Sequence, residues 1–169
     1  MRMLVAVASI LMIVVAGGTS AQDWLEEDAG RDVLDFSAAT EPGCFSSSYV
    51  ANGFCWRHRA EKADRWLKAV FASCLAKANE TYREKLKAFP DQEGRDESAS
   101  LRRAQDSFER FREDDAKYMY DSVYPGMLAG SYHWQVHYQL TVDRARALLG
   151  LSRTNMPSTV DLTKTDWCN

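Results

Sequence analysis

Residues 101–114, LRRAQDSFERFRED, decide how the chain is read. Leu101, Ala104, Phe108 and Phe111 recur at steps of three and four, the period of one helical face. Gln105 and Arg112 lie on that same face, two turns of helix apart. An amide and a guanidinium are costly to bury unless each is hydrogen-bonded or paired. Two readings follow. Either they form an internal polar network, or the face meets a partner. The network is the expectation, because both groups make good internal braces. Arg112 can reach Asp115 at i+3 or a group on another helix, and Gln105 can bridge helices.

Working outward, this helix continues through Asp115, Ala116, Met119 and Val123 and stops at Pro125-Gly126. Ser98 is its predicted N-cap. Ser131 is predicted to cap a further helix with the stripe Trp134, His137, Tyr138, Thr141, Arg144 or Ala145, and Leu148. Gly150 fits the residue after its C-cap. Upstream, Ala60, Ala63, Leu67, Val70, Cys74, Ala78, Tyr82 and Leu86 form another stripe. No Gly or Pro interrupts Trp56 to Phe89, Pro90 ends the run, and 90–97 reads as a charged loop. Whether 56–89 is one helix or two is left open by composition. Residues 22–54 read as irregular, with a turn at Pro42-Gly43 and a short amphipathic piece at Asp32–Phe36. The tail, 151–169, is polar and strand-poor. The predicted fold is all-α: a small antiparallel bundle of about three main helices, spanning 55–150, with short connections.

The N-terminal residues are set apart. Arg2 is followed by the apolar run Leu4–Ala16 and then by small residues up to Ala21. The run is shorter than the ~20 residues a bilayer requires, and it has the layout of a secretory signal peptide. Residues 1–21 are therefore expected to be a leader cut after Ala21. No cysteine stands at the cut to carry a lipid, and no membrane span is expected in the mature chain. That chain would have about 148 residues, one domain's length, and a net charge of about −4. A mild acidic balance argues against nucleic acid as a partner, which calls for clustered cations.

Cys44, Cys55, Cys74 and Cys168 all follow the leader. An even count in an exported chain reads as two disulfides. A straight helix would hold Cys55 and Cys74 about 28 Å apart, which disfavours that pairing. Cys168, on a loose tail, reads as a staple back to the body. No CxxC pair suits zinc.

Little else carries chemistry. There is no nucleophile elbow, phosphate loop or HExxH. Glu113, Asp114 and Asp115 are adjacent on a helix and fan out, so they read as a mostly solvated face, with Asp115 nearest Arg112. His133 and His137 share a face at i, i+4 and would bind a metal only with a third ligand; among Tyr132, Trp134 and Tyr138 they read instead as packed histidines. The sequon at Asn79 lies in predicted helix. Trp56, Trp66, Trp134 and Trp167 read as core or staple residues rather than ligand contacts. No cofactor, metal or enzymatic activity is expected, and the oligomeric state is left open.

The helix with Leu101, Ala104, Gln105, Phe108, Phe111 and Arg112 resembles the L-x-x-A-Q-x-x-W/F-x-x-Y/F-R element of the LprI-type lysozyme-inhibitor domain of exported bacterial proteins. Thr141, Arg144 and Leu148 match its later T-x-x-R-x-x-x-L helix. An upstream L-N-x-x-Y element is similar to Ala78, Asn79 and Tyr82, or in a second register to Asp64, Leu67 and Phe71. Many members carry two further cysteines, at places falling near Ala116 and Val136 here. The resemblance implies a secreted or periplasmic protein that binds lysozyme or another wall-active enzyme and blocks its cleft. The motif residues are read as structural, in line with the internal network, and Tyr124–Tyr132 (YPGMLAGSY), a loop of small residues with aromatic shoulders, is the candidate partner loop, with Tyr124, Met127, Ser131 and Tyr132. An ordinary helix–helix turn is the competing reading of that loop. A structural or envelope-adaptor protein without inhibitory activity is the competing reading of the whole chain.

Overall fold

The computed structural model describes residues 33–36, 44, 48–90, 96–152, 155 and 157–168. The expected leader, 1–21, most of the irregular segment and most of the charged loop lie outside the described residues. Three helices and a two-stranded ribbon make up the described chain: β1 (Val33–Asp35), α1 (Tyr49–Ala88), α2 (Glu97–Val123), α3 (Ala129–Leu148) and β2 (Thr159–Asp161).

The helix limits follow from local chemistry. The Ser48 hydroxyl accepts from the Ala51 amide at the start of α1. The helix therefore begins well inside the segment expected to be irregular, and it runs unbroken to Ala88. It ends where Pro90 pushes Phe89 out of the helical region. The N-cap of α2 is Asp96, not Ser98: the carboxylate accepts from the Ala99 amide at 3.0 Å. Ser98 lies in the first turn and donates to that carboxylate at 2.7 Å. An acidic cap also suits the positive end of the helix dipole. Leu128, which makes no side-chain cap bond, precedes α3. Ser131 lies inside α3, buried, with its hydroxyl 3.4 Å from the Tyr49 carbonyl. Gly150 takes the positive φ expected of it (65°). Its amide reaches the Ala147 carbonyl and that of Leu151 reaches Arg146, which closes α3 with a Schellman motif.

The pairings set the topology. Moving up α1, Tyr49, Arg59 and Cys74 meet Ser131, Tyr138 and Leu148 of α3 in the same order. Moving up α2, Gln105, Arg112 and Glu113 meet Arg144, Thr141 and His137 in reverse order. So α2 is antiparallel to both neighbours, and the bundle runs up, down, up. The core lies between α1 and α3, with Trp56, Ala60, Ala63, Trp66, Leu67 and Val70 facing Tyr138, Val142 and Ala145. The expected α1 stripe is buried only as far as Val70; beyond it no residue of α1 is buried, and Leu86 is exposed. The reason is length. Leu148, the last residue of α3, is level with Cys74, so residues 75–88 extend about 21 Å past it, with the start of α2 alongside through Lys85 and Glu97.

The short amphipathic piece expected at Asp32–Phe36 and the tail expected to be strand-poor each supply one three-residue strand. Leu34 pairs with Val160 in an antiparallel ladder, and both side chains are buried in the core cluster. Trp66 takes Phe36 against it at 5.2 Å and Trp167 at 6.2 Å between ring centroids. The two disulfides are Cys44–Cys55 and Cys74–Cys168. Cys55 and Cys74 do not pair, as the unbroken helix requires. No helix among the described residues is long and apolar enough to cross a membrane.

Candidate functional site

The polar face of α2 joins the three helices. Gln105 and Arg112 are 5 % and 8 % exposed, whereas Phe111 is 55 % exposed and Ala104 faces solvent. The inward face is thus Leu101, Gln105, Phe108, Arg112 and Ala116; Ala104 and Phe111 sit to one side. Arg112 donates from Nη1 to Asp64 of α1 at 2.8 Å and to the Thr141 hydroxyl of α3 at 3.0 Å. Its partner is Asp64, not Asp115. One guanidinium therefore joins all three helices. Gln105 accepts from Arg144 Nε at 3.2 Å and donates to Glu109. Arg112 and Arg144 each lie 5.6 Å from the centroid of the Phe108 ring, a favourable cation–π arrangement. The residues Gln105, Phe108, Arg112, Thr141 and Arg144 are brought together as an internal brace. Leu148 packs on the core at the far end.

His137 extends this brace. It is buried, and its Nε2 lies 3.2 Å from Glu113. Burial, and then the nearby Arg112 charge, disfavour its protonated form more than Glu113 and Asp64 favour it, so its pKa falls below the ordinary histidine value. As pH drops, the unfolded imidazole therefore protonates before the folded one. The contribution is complete above about pH 6.5 and drains away as pH falls below it. Thermal melts taken from pH 7.5 to 5 are expected to show a falling Tm, with a shallower slope for His137→Gln. Identical slopes for the two proteins would place the acid sensitivity elsewhere. At Asp64, burial raises the carboxyl pKa, but hydrogen bonds from Lys68 and Arg112 outweigh it and hold the value low. That contribution is lost only at more acid pH, below about 3.9.

At one end of the bundle, the start of α1, the end of α2 and the start of α3 come together. Large apolar side chains are exposed there: Tyr49, Val50 and Phe54 from α1, Tyr120 and Tyr124 from α2 and its cap, then Met127 and Tyr132. Tyr124 is 64 % and Met127 76 % exposed. Tyr120 and Tyr124 stack with centroids 5.7 Å apart. Of the four residues expected to face a partner from this loop, Tyr124, Met127 and Tyr132 do reach solvent. Ser131 does not; it is turned onto α1. The loop itself is only 124–128, since α3 begins at Ala129.

Beside this end a groove of about 420 Å³ opens on the seam between α2 and α3. It is lined by Glu113, Asp114, Lys117 and Tyr120 on one side and Gly130, His133 and Trp134 on the other. Trp134 is therefore partly buried against the core on one side and a wall of the groove on the other. His133 packs edge-on against it at 4.9 Å, and Arg57 of α1 lies 5.6 Å from its ring. The acids at 113 and 114, read from sequence as a solvated face, are part of this lining, and Gly130 had no signal beyond its small size. His133 and His137 are near neighbours, and no group of three or more His, Cys, Asp or Glu among the described residues is placed to hold a metal ion.

A protein-family model described as "Lysozyme inhibitor LprI" matches residues 45–148, more than half of the chain. The match begins just before α1 and stops at the last residue of α3. Each disulfide thus links one cysteine inside the matched bundle to one outside it. No curated protein and no solved structure matches the chain.

Proposed function

The chain belongs to the lysozyme inhibitor LprI family, and from that premise we propose that it is an exported protein that binds lysozyme or a related wall-active enzyme and obstructs its cleft. The observation that carries this reading is the cluster of exposed aromatic and apolar side chains at one end of the bundle, centred on Tyr124, Met127 and Tyr132. Single exposed apolar residues are ordinary, but a contiguous patch marks an interaction surface. Tyrosine and methionine are also enriched where proteins meet. The net charge of −3 suits a basic target such as lysozyme, because opposite charge speeds encounter. Secretion or a periplasmic location, with residues 1–21 as the leader, agrees with the two disulfides, which persist in oxidising compartments.

The test is a cell-wall turbidity assay with the oxidised protein, using several lysozyme types at low and high salt. Inhibition that weakens with salt is expected. Tyr124→Ala combined with Met127→Ala is expected to raise the inhibition constant at least about tenfold, equivalent to about 1.4 kcal/mol, with melting unchanged. No inhibition of any lysozyme type would reject this reading. The same apolar end would then belong to an envelope adaptor with a different protein partner.

A further inference from the structure

We propose that the groove on the α2–α3 seam is a receptor for a single arginine side chain presented by the basic partner. This deepens the reading above and rests on its premise of a basic protein target. The walls are aromatic: Tyr120, His133 and Trp134. Such rings attract cations through their π faces, and the protein already places the guanidinium of its own Arg57 by Trp134. Carboxylates stand at the same opening. Glu113 is oriented by His137 at 3.2 Å and by Arg112 at 3.8 Å. Asp114 makes no hydrogen bond or ion pair among the described residues and is exposed. The one lysine or arginine in the lining, Lys117, is paired with Asp121, so Asp114 is the lining carboxylate left without a cationic partner among the described residues.

Space and shape favour arginine. Gly130 leaves the α3 side open: a Cβ added there would meet nothing within 4 Å. A guanidinium is planar, stacks on aromatic rings and offers paired donors to a carboxylate, whereas an ammonium does so as a compact, strongly hydrated point. A groove that has the His133 and Trp134 rings on its α3 side, with carboxylates and the Tyr120 ring on its α2 side, matches the first of these. The apolar end beside it would bury the partner's surface around that arginine and exclude water.

Gly130 also supplies the test. Gly130→Phe puts a ring into open space on a helix, where glycine is itself unfavourable, so the fold should persist while the groove fills. Gly130→Ala is the control. The probe is the peptide acetyl-Gly-Arg-Gly-amide, compared with its citrulline counterpart, which keeps the shape and loses the charge. The readout is the Trp134 indole N–H resonance in the 15N-labelled full chain. The arginine peptide is expected to shift it saturably, with at least fivefold weaker binding for citrulline. Gly130→Phe is expected to abolish the shift and Gly130→Ala to preserve it. Asp114→Asn, which leaves the shape intact, is expected to weaken the arginine peptide severalfold and covers the case in which Gly130→Phe does not fold. Equal responses to arginine and citrulline, or undiminished arginine binding in Gly130→Phe or Asp114→Asn, would overturn the proposal. Lysozyme inhibition measured alongside separates the two ideas. Peptide binding without inhibition keeps the groove and rejects lysozyme as target; inhibition without peptide binding does the reverse.

Discussion

Replacing Cys74 and Cys168 with serine is expected to lower the unfolding free energy by about 4 kcal/mol. The two cysteines are 94 residues apart in sequence, so the bond closes a loop that contains α2, α3 and the tail. Loop-closure entropy grows with loop length: about 4.7 kcal/mol for a loop near 100 residues and about 3 kcal/mol for one near 15. Cys44–Cys55, with a separation of 11, should therefore contribute less. Losing the long staple also frees what it holds. The Ser73 hydroxyl accepts from the amides of Trp167 and Cys168 at 3.0 and 3.1 Å, Trp167 packs on Trp66, and β2 delivers Val160 to the core. Urea unfolding of the Cys74→Ser/Cys168→Ser and Cys44→Ser/Cys55→Ser proteins checks the ranking. Equal midpoints with equal slopes would show that loop length does not govern these bonds.

Arg112→Ala is expected to destabilise by about 3 kcal/mol, the lower end of what removing one partner of a buried ion pair costs. The lower end applies because Asp64 keeps a second partner, Lys68 at 2.8 Å, and is itself partly solvated. Even so, the substitution empties the point where three helices meet. Thr141 loses a donor, and Phe108 loses one of its two flanking cations. At roughly 2–4 °C per kcal/mol for a domain of this size, Tm should fall by about 6–12 °C. Arg112→Lys should recover only part of that, since an ammonium does not reproduce the forked donor geometry. A double-mutant cycle with Asp64→Asn separates the pair from the packing. Melting unchanged within error would mean that the guanidinium is not an internal brace.

The bundle itself was legible because helical periodicity is a local signal. Gln105 and Arg112 broke that periodicity, and of the two readings open, an internal network or a partner-facing surface, the network was the expected one, so their burial could be anticipated. Arg112's partner could not be named from sequence, because Asp64 lies 48 residues away and is brought near by tertiary packing; Asp115, close in sequence, makes no ion pair with Arg112 among the described residues. The start of α1 was hidden by Asn52 and Gly53, poor helix residues that α1 nonetheless carries. Ala78, Tyr82 and Leu86 show the opposite error: a helix can carry an apolar stripe past the end of its neighbour, and periodicity does not report the neighbour's length. Strands of three residues are too short for any alternation to register. The groove was least legible of all, because it combines two helices and depends on a missing side chain at Gly130.

The length of α1 has a consequence for how the molecule moves in water. Its 40 residues form a rod of about 60 Å. A compact domain of about 120 residues would have a radius of gyration near 14 Å and so a diameter of roughly 35 Å. The longest axis therefore exceeds that diameter by a factor of about 1.7. Rotational diffusion will be slower for end-over-end tumbling than for spinning about α1. The packed bundle lies toward the aromatic pole of this axis and residues 75–88 overhang at the other, so the overhang sweeps the wider arc while the aromatic end stays nearer the centre of rotation.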